Sequence, residues 1–255
     1  GQFIMLPTTL LLIKHTGWSS ALVISAILVA LCVPLAWMLK APMYVDPHAK
    51  PMSNAPSMSF KQILKIAFSH KPFLFLALGF LVCGFQVVFL GIHLPGYLID
   101  HGFDASNGTI FLALVGLFNI IGTYTAGYLG DKYSKPHLLM WLYGLRGIAI
   151  IAFLSLPLSL WSIYSFGIIM GLLWLSTVPL TNGIVANMFG VKYLTMLSGI
   201  VFFTHQIGSF FGGWLGGLNH DLTGNYNLMW MGAIGLSLFG VVVHFFVNEK
   251  VVVHD

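Results

Sequence analysis

Long stretches of this chain contain no Asp, Glu, Lys or Arg, and this feature decides the class of fold. The hydrocarbon core of a bilayer is about 30 Å thick, so a helix needs about 20 apolar residues to cross it. Five uncharged stretches meet that length: 15–39, 72–99, 105–130, 193–220 and 222–248. The run 136–191 has one charge, Arg146, and a break at 156–159, which predicts two more helices. The sequence therefore predicts an all-α, multi-pass membrane protein.

The composition excludes a soluble globular domain. Charged residues make up 7% of the 255 residues, against about 25% in soluble domains, and 58% are hydrophobic. A soluble chain must cover its surface with polar side chains, and these stretches hold too few. The basic residues lie mostly in the connections, so they do not indicate nucleic-acid binding. Cys32 and Cys83 stand alone in separate apolar stretches, which argues against a metal site or a disulfide framework.

Turn residues divide the chain into seven whole helices, predicted at 17–39, 73–97, 106–130, 137–156, 160–185, 194–217 and 228–247. The apolar residues 1–13 before them cover only about half a span. They also lack the charged face of an interfacial helix. We therefore expect the chain to be a fragment, the C-terminal portion of a larger protein, with residues 1–13 the end of a further helix.

The distribution of lysine predicts the orientation in the membrane. One side holds Lys14 together with Asp100, Asp104 and Asp221. The other side holds the remaining lysines: Lys40, Lys50, Lys61, Lys65, Lys71, Lys132, Lys135, Lys192 and Lys250. Because cytoplasmic loops carry the excess of Lys and Arg, we expect a cell (inner) membrane protein whose C-terminus and 40–71 connection are cytoplasmic.

The 40–71 connection contains a helix of a different kind. Apolar side chains recur at 60, 63, 64, 67 and 68, with Lys61 and Lys65 between them. This pattern is typical of a basic amphipathic helix on an anionic membrane surface. A solvated linker helix is the alternative that the sequence leaves open.

The connection 127–136 reads Gly-Tyr-Leu-Gly-Asp-Lys-Tyr-Ser-Lys-Pro. It resembles the cytoplasmic signature of the major facilitator superfamily, Gly-x-x-x-Asp-Arg/Lys-x-Gly-Arg-Lys/Arg, with departures at Ser134 and Pro136. The glycines would permit close helix contact, and the aspartate could accept hydrogen bonds at a neighbouring helix N-terminus. The resemblance implies a conformational latch made of Gly127, Gly130, Asp131, Lys132 and Lys135.

Stretches 84–98 and 188–226 are similar to the seventh and eleventh helices of monocarboxylate-transporter-like bacterial members of that family. On this alignment, residues 1–39 end the N-terminal half and 40–71 join the two halves. Residues 72–255 form the C-terminal six-helix bundle. The implied fold is the C-terminal half of a major facilitator fold plus one and a half preceding helices, and the implied partner is an N-terminal half.

Polar side chains within the spans are the candidates for function, because each is costly in lipid unless it faces the interior. In the family, the equivalents of the helices predicted at 73–97, 106–130, 160–185 and 194–217 surround the central cavity. The predicted substrate-binding residues are Gln86, His93, Asn119, Thr123, Trp174, Asn182, His205, Gln206 and Arg146. Taken singly, each of them is more often explained by an interhelical hydrogen bond than by a contact with a ligand.

Arg146 is the only formal charge well within a span. It could pair with an anionic substrate or with Asp131, or it could have a structural role by extending toward the nearer interface. The whole helices contain no Asp or Glu within a span. If the protein is a proton symporter, the coupling proton travels on His93, on His205 or on a carboxylate in the other half. We expect no cofactor and no metal.

The leading hypothesis is a secondary active transporter that moves a small solute by alternating access. The resemblance suggests an organic anion such as a monocarboxylate. A truncated, non-functional half-carrier is the first alternative. A membrane enzyme using Ser198 or Ser209 beside His205, and a haem protein ligated by His93 and His205, are weaker alternatives.

Overall fold

The computed structural model describes residues 2–34 and 58–252. Within those ranges every regular element is an α-helix, and seven helical stretches are long and apolar enough to cross a membrane. The predicted all-α membrane fold is therefore confirmed for the described residues. The helices, in chain order, are α1 Gln2–Ala30, α2 Phe60–Ser69, α3 Lys71–Asp100, α4 Ala105–Lys132, α5 Lys135–Ser155, α6 Leu160–Leu173, α7 Thr177–Phe189, α8 Val191–Thr223 and α9 Asn227–Phe245.

Gly17 interrupts helical geometry within α1. Its φ of 83° and ψ of 164° lie outside the helical region, in a conformation open to glycine because glycine lacks a Cβ. The two helical segments that meet at Gly17 match the predicted boundary between the partial first helix and the first whole helix. The predicted end of that helix at 39, and most of the 40–71 connection, lie outside the described residues.

Local sequence signals set the other helix ends. Asp104 precedes α4, and its Oδ1 accepts the N–H of Ser106 at 2.8 Å. Hydrogen bonds from Ser106 hold the pKa of the Asp104 carboxyl below its usual range. Gly224 has a φ of 68° and ends α8 in the left-handed conformation. As a result α8 extends beyond the predicted end at 217. Gly190, with a φ of 78°, precedes its start at Val191, which is earlier than the predicted 194.

Glycines bring α3 and α8 into close contact along their length. A Cβ at Gly208 would lie 2.0 Å from the carbonyl oxygen of Leu81, and one at Gly212 would lie 2.3 Å from that of Phe85. From the other side, a Cβ at Gly84 would lie 1.9 Å from the carbonyl oxygen of His205. Small residues allow this approach, because close packing is a main force that joins helices in lipid.

Buried apolar side chains form two clusters, one toward each end of the bundle. The first lies on the side where α3 begins and α7 ends, and it includes Phe73 and Phe189. We call this end, which carries most of the described lysines, the lysine-rich face. The second cluster lies toward the opposite face and includes Leu98 and Tyr226. At that face Nε2 of His220, in the last turn of α8, lies 3.0 Å from Oδ2 of Asp100 at the end of α3.

Candidate functional site

A layer of buried polar side chains lies between the two apolar clusters. Gln86, Arg146 and Ser237 are each at most 2% exposed and stand near the middle of α3, α5 and α9. Ser176 and Thr177 are also buried, at the junction of α6 and α7. Polar groups at this depth must be paired within the protein. Their hydrogen bonds therefore define the architecture of the layer.

The helical stretch Leu160–Phe189 is interrupted at 174–176, close to its midpoint. The sequence predicted one continuous helix over 160–185, and the structure corrects this to two helices, α6 and α7. Pro179 gives the physical reason, because it lacks an N–H and its ring clashes with the carbonyl four residues earlier, that of Leu175. Interrupted backbone at membrane depth is stable only where it is buried in protein or lines a water-filled cavity.

Arg146 satisfies the carbonyl groups at the end of α6. Its Nε and Nη2 donate to the oxygen of Leu173 at 3.1 and 2.6 Å, and Nη2 also donates to the oxygen of Trp174. Its Nη1 donates to Oε1 of Gln86 at 3.4 Å. A cation at a helix C-terminus also complements the negative end of the helix dipole. Arg146 is only 1% exposed, so it does not extend to the interface.

Asn119 of α4 supports the other side of the interruption. Its Oδ1 accepts the N–H of Leu175 at 3.0 Å and the hydroxyl of Thr123 at 3.2 Å. Arg146 of α5 therefore donates to the carbonyl groups of the interrupted backbone, and Asn119 of α4 accepts from one of its N–H groups. The hydroxyl of Ser176 donates to the oxygen of Leu172 at 2.6 Å within the same segment.

Gln86 extends the polar layer to α9. Its Nε2 donates to the carbonyl oxygen of Ala233 at 3.0 Å and to the hydroxyl of Ser237 at 2.6 Å. Since its Oε1 accepts from Arg146, one amide joins α3, α5 and α9. The predicted residues Gln86, Arg146, Asn119, Thr123 and Trp174 therefore meet around one feature, the midplane interruption.

The two predicted histidines lie at the α3–α8 interface, outside this network. Nε2 of His93 is 2.8 Å from the carbonyl oxygen of Gly213, and its ring is 5.5 Å from that of Tyr226. His205 is 7% exposed, and its ring lies 4.9 Å from that of Phe80 on α3. Both histidines thus serve helix packing in this structure.

Nδ1 of His205 lies 3.3 Å from Oε1 of Gln206 and 3.3 Å from the hydroxyl of Ser209. The side chain of Gln206 is exposed, as is that of Asn182 on α7. These two predicted residues therefore lie on the surface of the described bundle, away from the midplane interruption.

The structure places the predicted latch residues in different environments. Asp131 and Lys132 are exposed at the end of α4, and Lys132 contacts the hydroxyl and ring of Tyr128. Within the described residues, Asp131 has no hydrogen-bond or ion-pair partner. Of the two glycines, only Gly130 is tightly packed: a Cβ there would lie 2.7 Å from Leu180, whereas Gly127 has open space around it.

Lys135 is bound by a residue that the sequence did not single out. Oε1 of Glu249 accepts the backbone N–H of Lys135 at 2.8 Å, and Oε2 accepts its Nζ at 3.2 Å. Oε2 also accepts from Asn187 of α7 at 2.8 Å. Glu249 therefore caps the N-terminus of α5 and ties the segment after α9 to the lysine-rich face.

Comparison with known protein families matches residues 1–213 to the Major Facilitator Superfamily. The chain belongs to the major facilitator superfamily. The family consists of transporters and not of enzymes, so the serine-enzyme hypothesis is set aside. Family members generally need no cofactor, and the described residues contain no group of three or more His, Cys, Asp or Glu that could hold a metal ion.

The relatives of this facilitator chain include monocarboxylate transporters. It is 28% identical to the MFS-type transporter YcxA of Bacillus subtilis (strain 168) over 92% of this chain and 59% of that protein. It is 26% identical to monocarboxylate transporter 12-B of Danio rerio over 89% of this chain and 53% of that protein. It is 23% identical to monocarboxylate transporter 11 of Homo sapiens over 95% of this chain and 52% of that protein. The chain thus spans little more than half the length of these relatives.

Three residues of this facilitator half were missed from the sequence, and two of them carried a signal. Pro179 inside a predicted helix is a known helix breaker. Ser237 lies in the middle of an uncharged span, where any polar side chain needs a partner. Glu249 had no local signal, because its role depends on the fold bringing the segment after α9 to the start of α5.

Proposed function

We propose that this chain is the C-terminal half of a secondary active transporter that moves a small solute across the cell membrane by alternating access. The solute binds near the bilayer midplane, between this bundle and an N-terminal half of similar size. The lysine-rich face is cytoplasmic under this proposal, as the excess of lysine on that side suggests. Residues 58–71 then belong to the connection between the halves.

One observation carries the proposal: the interruption between α6 and α7 at the middle of a membrane span, surrounded by polar side chains from α3, α4 and α5. Transporters commonly build substrate and ion sites from discontinuous helices near the midplane. The interruption is therefore the best candidate for the wall of a solute pathway.

We assign different roles to the residues around that wall. Arg146, with its guanidinium engaged by two carbonyl groups and Gln86, is a positioning residue that fixes the shape of the interruption. Asn119 and Thr123 are half-buried and form the side of the pathway on α4. Asn182 and Gln206 are exposed on the isolated half, where they would face the N-terminal half or the solute.

The solute class that we propose is a small organic anion such as a monocarboxylate. Support comes from the names of the relatives, several of which are called monocarboxylate transporters. Hydroxyl and amide donors of the pathway would bind a carboxylate, together with cationic groups of the N-terminal half. If the transport is proton symport, His205 is the group in this half best placed to carry the proton, because its Nδ1 is within reach of Gln206 at the surface.

Uptake by proteoliposomes tests this proposal. Vesicles containing the complete carrier should accumulate a labelled monocarboxylate, and His205→Ala should reduce uptake at unchanged protein levels. His137→Ala is the matched control, since His137 is exposed at the lysine-rich face and does not lie at the α3–α8 interface as His205 does. Uptake by His205→Ala equal to that of the control would remove His205 from the pathway. Absence of accumulation of any small anion by the unmodified carrier would overturn the solute class.

The second candidate is an inactive half-carrier, favoured by one observation: the chain spans little more than half of each relative. One half supplies only one wall of a two-halved pathway. Proteoliposomes containing residues 1–255 with and without a separate N-terminal half distinguish the two candidates, because only the inactive half-carrier predicts no uptake in either preparation. Uptake restored by adding a separate N-terminal half supports the two-halved carrier, whereas uptake by residues 1–255 alone would contradict both accounts.

A further inference from the structure

The apolar face of helix α2 is only partly packed against the bundle. Ile63 and Ala67 are buried in the apolar cluster of the lysine-rich face. Phe60, Leu64 and Phe68 are spaced four residues apart and form a second stripe. Phe60 is 64% exposed and Phe68 is 53% exposed. Leu64 is half-buried and packs against the same apolar cluster as Ile63, so the uncovered part of this stripe consists of Phe60 and Phe68.

A stripe of positive charge runs beside the exposed phenylalanines. Lys61 and Lys65 are also four residues apart, and each follows a stripe residue directly in sequence, so both lie along the same edge of α2. Both side chains are exposed. An apolar stripe next to a basic stripe on one helix is the arrangement that interfacial helices use on anionic membranes.

The position of α2 places these stripes at the membrane boundary. The spanning helix α3 begins at Lys71, directly after α2 ends at Ser69. A capping box between Ser59 and Gln62 fixes the start of α2. The N–H of Met58 donates to the hydroxyl of Tyr193 at 3.1 Å, which ties this start to α8. The helix is therefore held firmly where headgroups must lie.

A shallow cavity of about 330 Å³ adjoins the basic stripe, lined by Lys65, Ile66, Ser69, His70 and Val252. Within the described residues, Nε2 of His70 is buried and has no hydrogen-bond partner. Buried polar atoms are normally satisfied. Because that nitrogen is closed off from solvent, the accessible cation at this cavity is the ammonium group of Lys65.

We propose that α2 is an anchor for anionic phospholipids of the cytoplasmic leaflet. Lys61 and Lys65 bind headgroup phosphates, and the exposed Phe60 and Phe68 insert between the headgroups. This inference is independent of the solute and of alternating access, because it rests on the surface of α2 alone. It commits to lipid as the occupant and not to free phosphate or a protein.

Lipid titration of the purified chain tests the charge contribution. Phosphatidylglycerol added to the detergent-solubilised chain should bind in preference to phosphatidylcholine. Lys61→Gln and Lys65→Gln should each weaken that binding about fivefold, as expected for a basic residue near an anionic surface. Lys14→Gln is the matched control, since Lys14 is an exposed lysine of α1, away from α2. Equal binding by all three variants would overturn the proposal, and so would equal binding of inorganic phosphate.

Spin labelling tests the depth of the apolar stripe without relying on affinity. After Cys32→Ser, labels are placed at Phe68→Cys and at the neighbouring exposed position Ser69→Cys. In vesicles that contain phosphatidylglycerol, the label at 68 should be shielded from a water-soluble relaxation agent and the label at 69 should remain accessible. Equal accessibility of the two labels would place α2 in water and overturn the anchor.

Discussion

Arg146 donates two hydrogen bonds to the carbonyl oxygen of Leu173, from Nε at 3.1 Å and from Nη2 at 2.6 Å. This pair joins the middle of α5 to the last residue of α6. Because the helix ends at that carbonyl, the arginine replaces the N–H donors that the interruption removes. The buried cation and the interrupted helix therefore stabilise each other.

Arg146→Met should destabilise the bundle strongly. The substitution leaves the carbonyl groups of Leu173 and Trp174 and Oε1 of Gln86 without their donor. Hydrogen bonds to charged groups contribute about 1.5–3 kcal/mol each, and an unsatisfied buried group costs a comparable amount. We expect a loss of about 2–4 kcal/mol, seen as a lower midpoint of thermal unfolding in detergent. Lys14→Met removes one exposed positive charge and should leave the midpoint nearly unchanged. An equal effect of both variants would show that Arg146 has no specific role.

Asn119→Ala should weaken the α4 side of the interruption. The N–H of Leu175 loses its acceptor, while Thr123 loses a hydrogen bond that it can replace within its own helix. Interhelical hydrogen bonds in bilayers contribute about 0.6 kcal/mol on average, so a loss of about 0.5–1.5 kcal/mol is expected. Thr125→Ala, at an exposed position of α4, is the control. Hydrogen exchange at 174–178 should rise in Asn119→Ala and stay unchanged in the control.

Gly212→Ala should separate α3 from α8. The added Cβ would meet the carbonyl oxygen of Phe85 at 2.3 Å, and backbone atoms cannot move aside as a side chain would. Gly91→Ala is the matched control on α3, because nothing lies within 4 Å of its Cβ position. The control should be neutral or stabilised by up to about 1 kcal/mol through helix propensity. Thermal unfolding that is equally unaffected in both variants would contradict the close α3–α8 contact.

Glu249→Gln should release the lysine-rich end of α5. The amide keeps an acceptor for one N–H but loses the charge that binds Nζ of Lys135 and favours the helix N-terminus. A partly exposed ion pair of this kind contributes about 0.5–1 kcal/mol. Asp221→Asn, which removes an exposed carboxylate at the opposite face, is the control. Faster hydrogen exchange at 135–138 in Glu249→Gln alone is the expected result.

His70 predicts a pH dependence of stability. Burial lowers the pKa of His70 below its usual value of 6.5. Below pH 6.5 the unfolded chain therefore binds a proton that the folded chain does not, so stability falls as the pH drops toward the lower, folded-state pKa. Replacement His70→Asn should reduce this loss. Thermal midpoints measured on both sides of pH 6.5 check the sign, and a midpoint that rises on acidification would contradict it.

Much of the fold could be predicted from the sequence, because lipid imposes few solutions. Uncharged stretches of about 20 residues must be helices, and Gly17 and the glycines of α8 stand where the chain turns or packs closely. The boundaries of α8 were less predictable, since helix length beyond the membrane depends on local capping. The interruption at 174–176 could be predicted only from Pro179, because the hydrophobic pattern continues through 160–185 without a break.

The candidate site was only partly predictable, because hydrogen-bond partners come from helices distant in sequence. Polarity within a span singled out Gln86, Asn119 and Arg146. It did not indicate that all three lie around one interruption. The same criterion selected His93 and His205, which the fold places at a helix interface instead. The role of Glu249 depends on the fold bringing the segment after α9 next to the start of α5, and no short motif encodes that arrangement.

Cysteine accessibility tests the central claim most directly, that Thr123 beside the interruption and Asn182 on the surface of α7 both face an internal water-filled pathway. In the complete carrier with Cys32 replaced by Ser, Thr123→Cys and Asn182→Cys are treated with a charged thiol reagent. Ile148→Cys, at an exposed apolar position of α5, is the lipid-facing control. We predict modification at 123 and 182, protection of both by the proposed monocarboxylate, and no modification at 148. Modification at 148 with none at 123 and 182 would contradict the account.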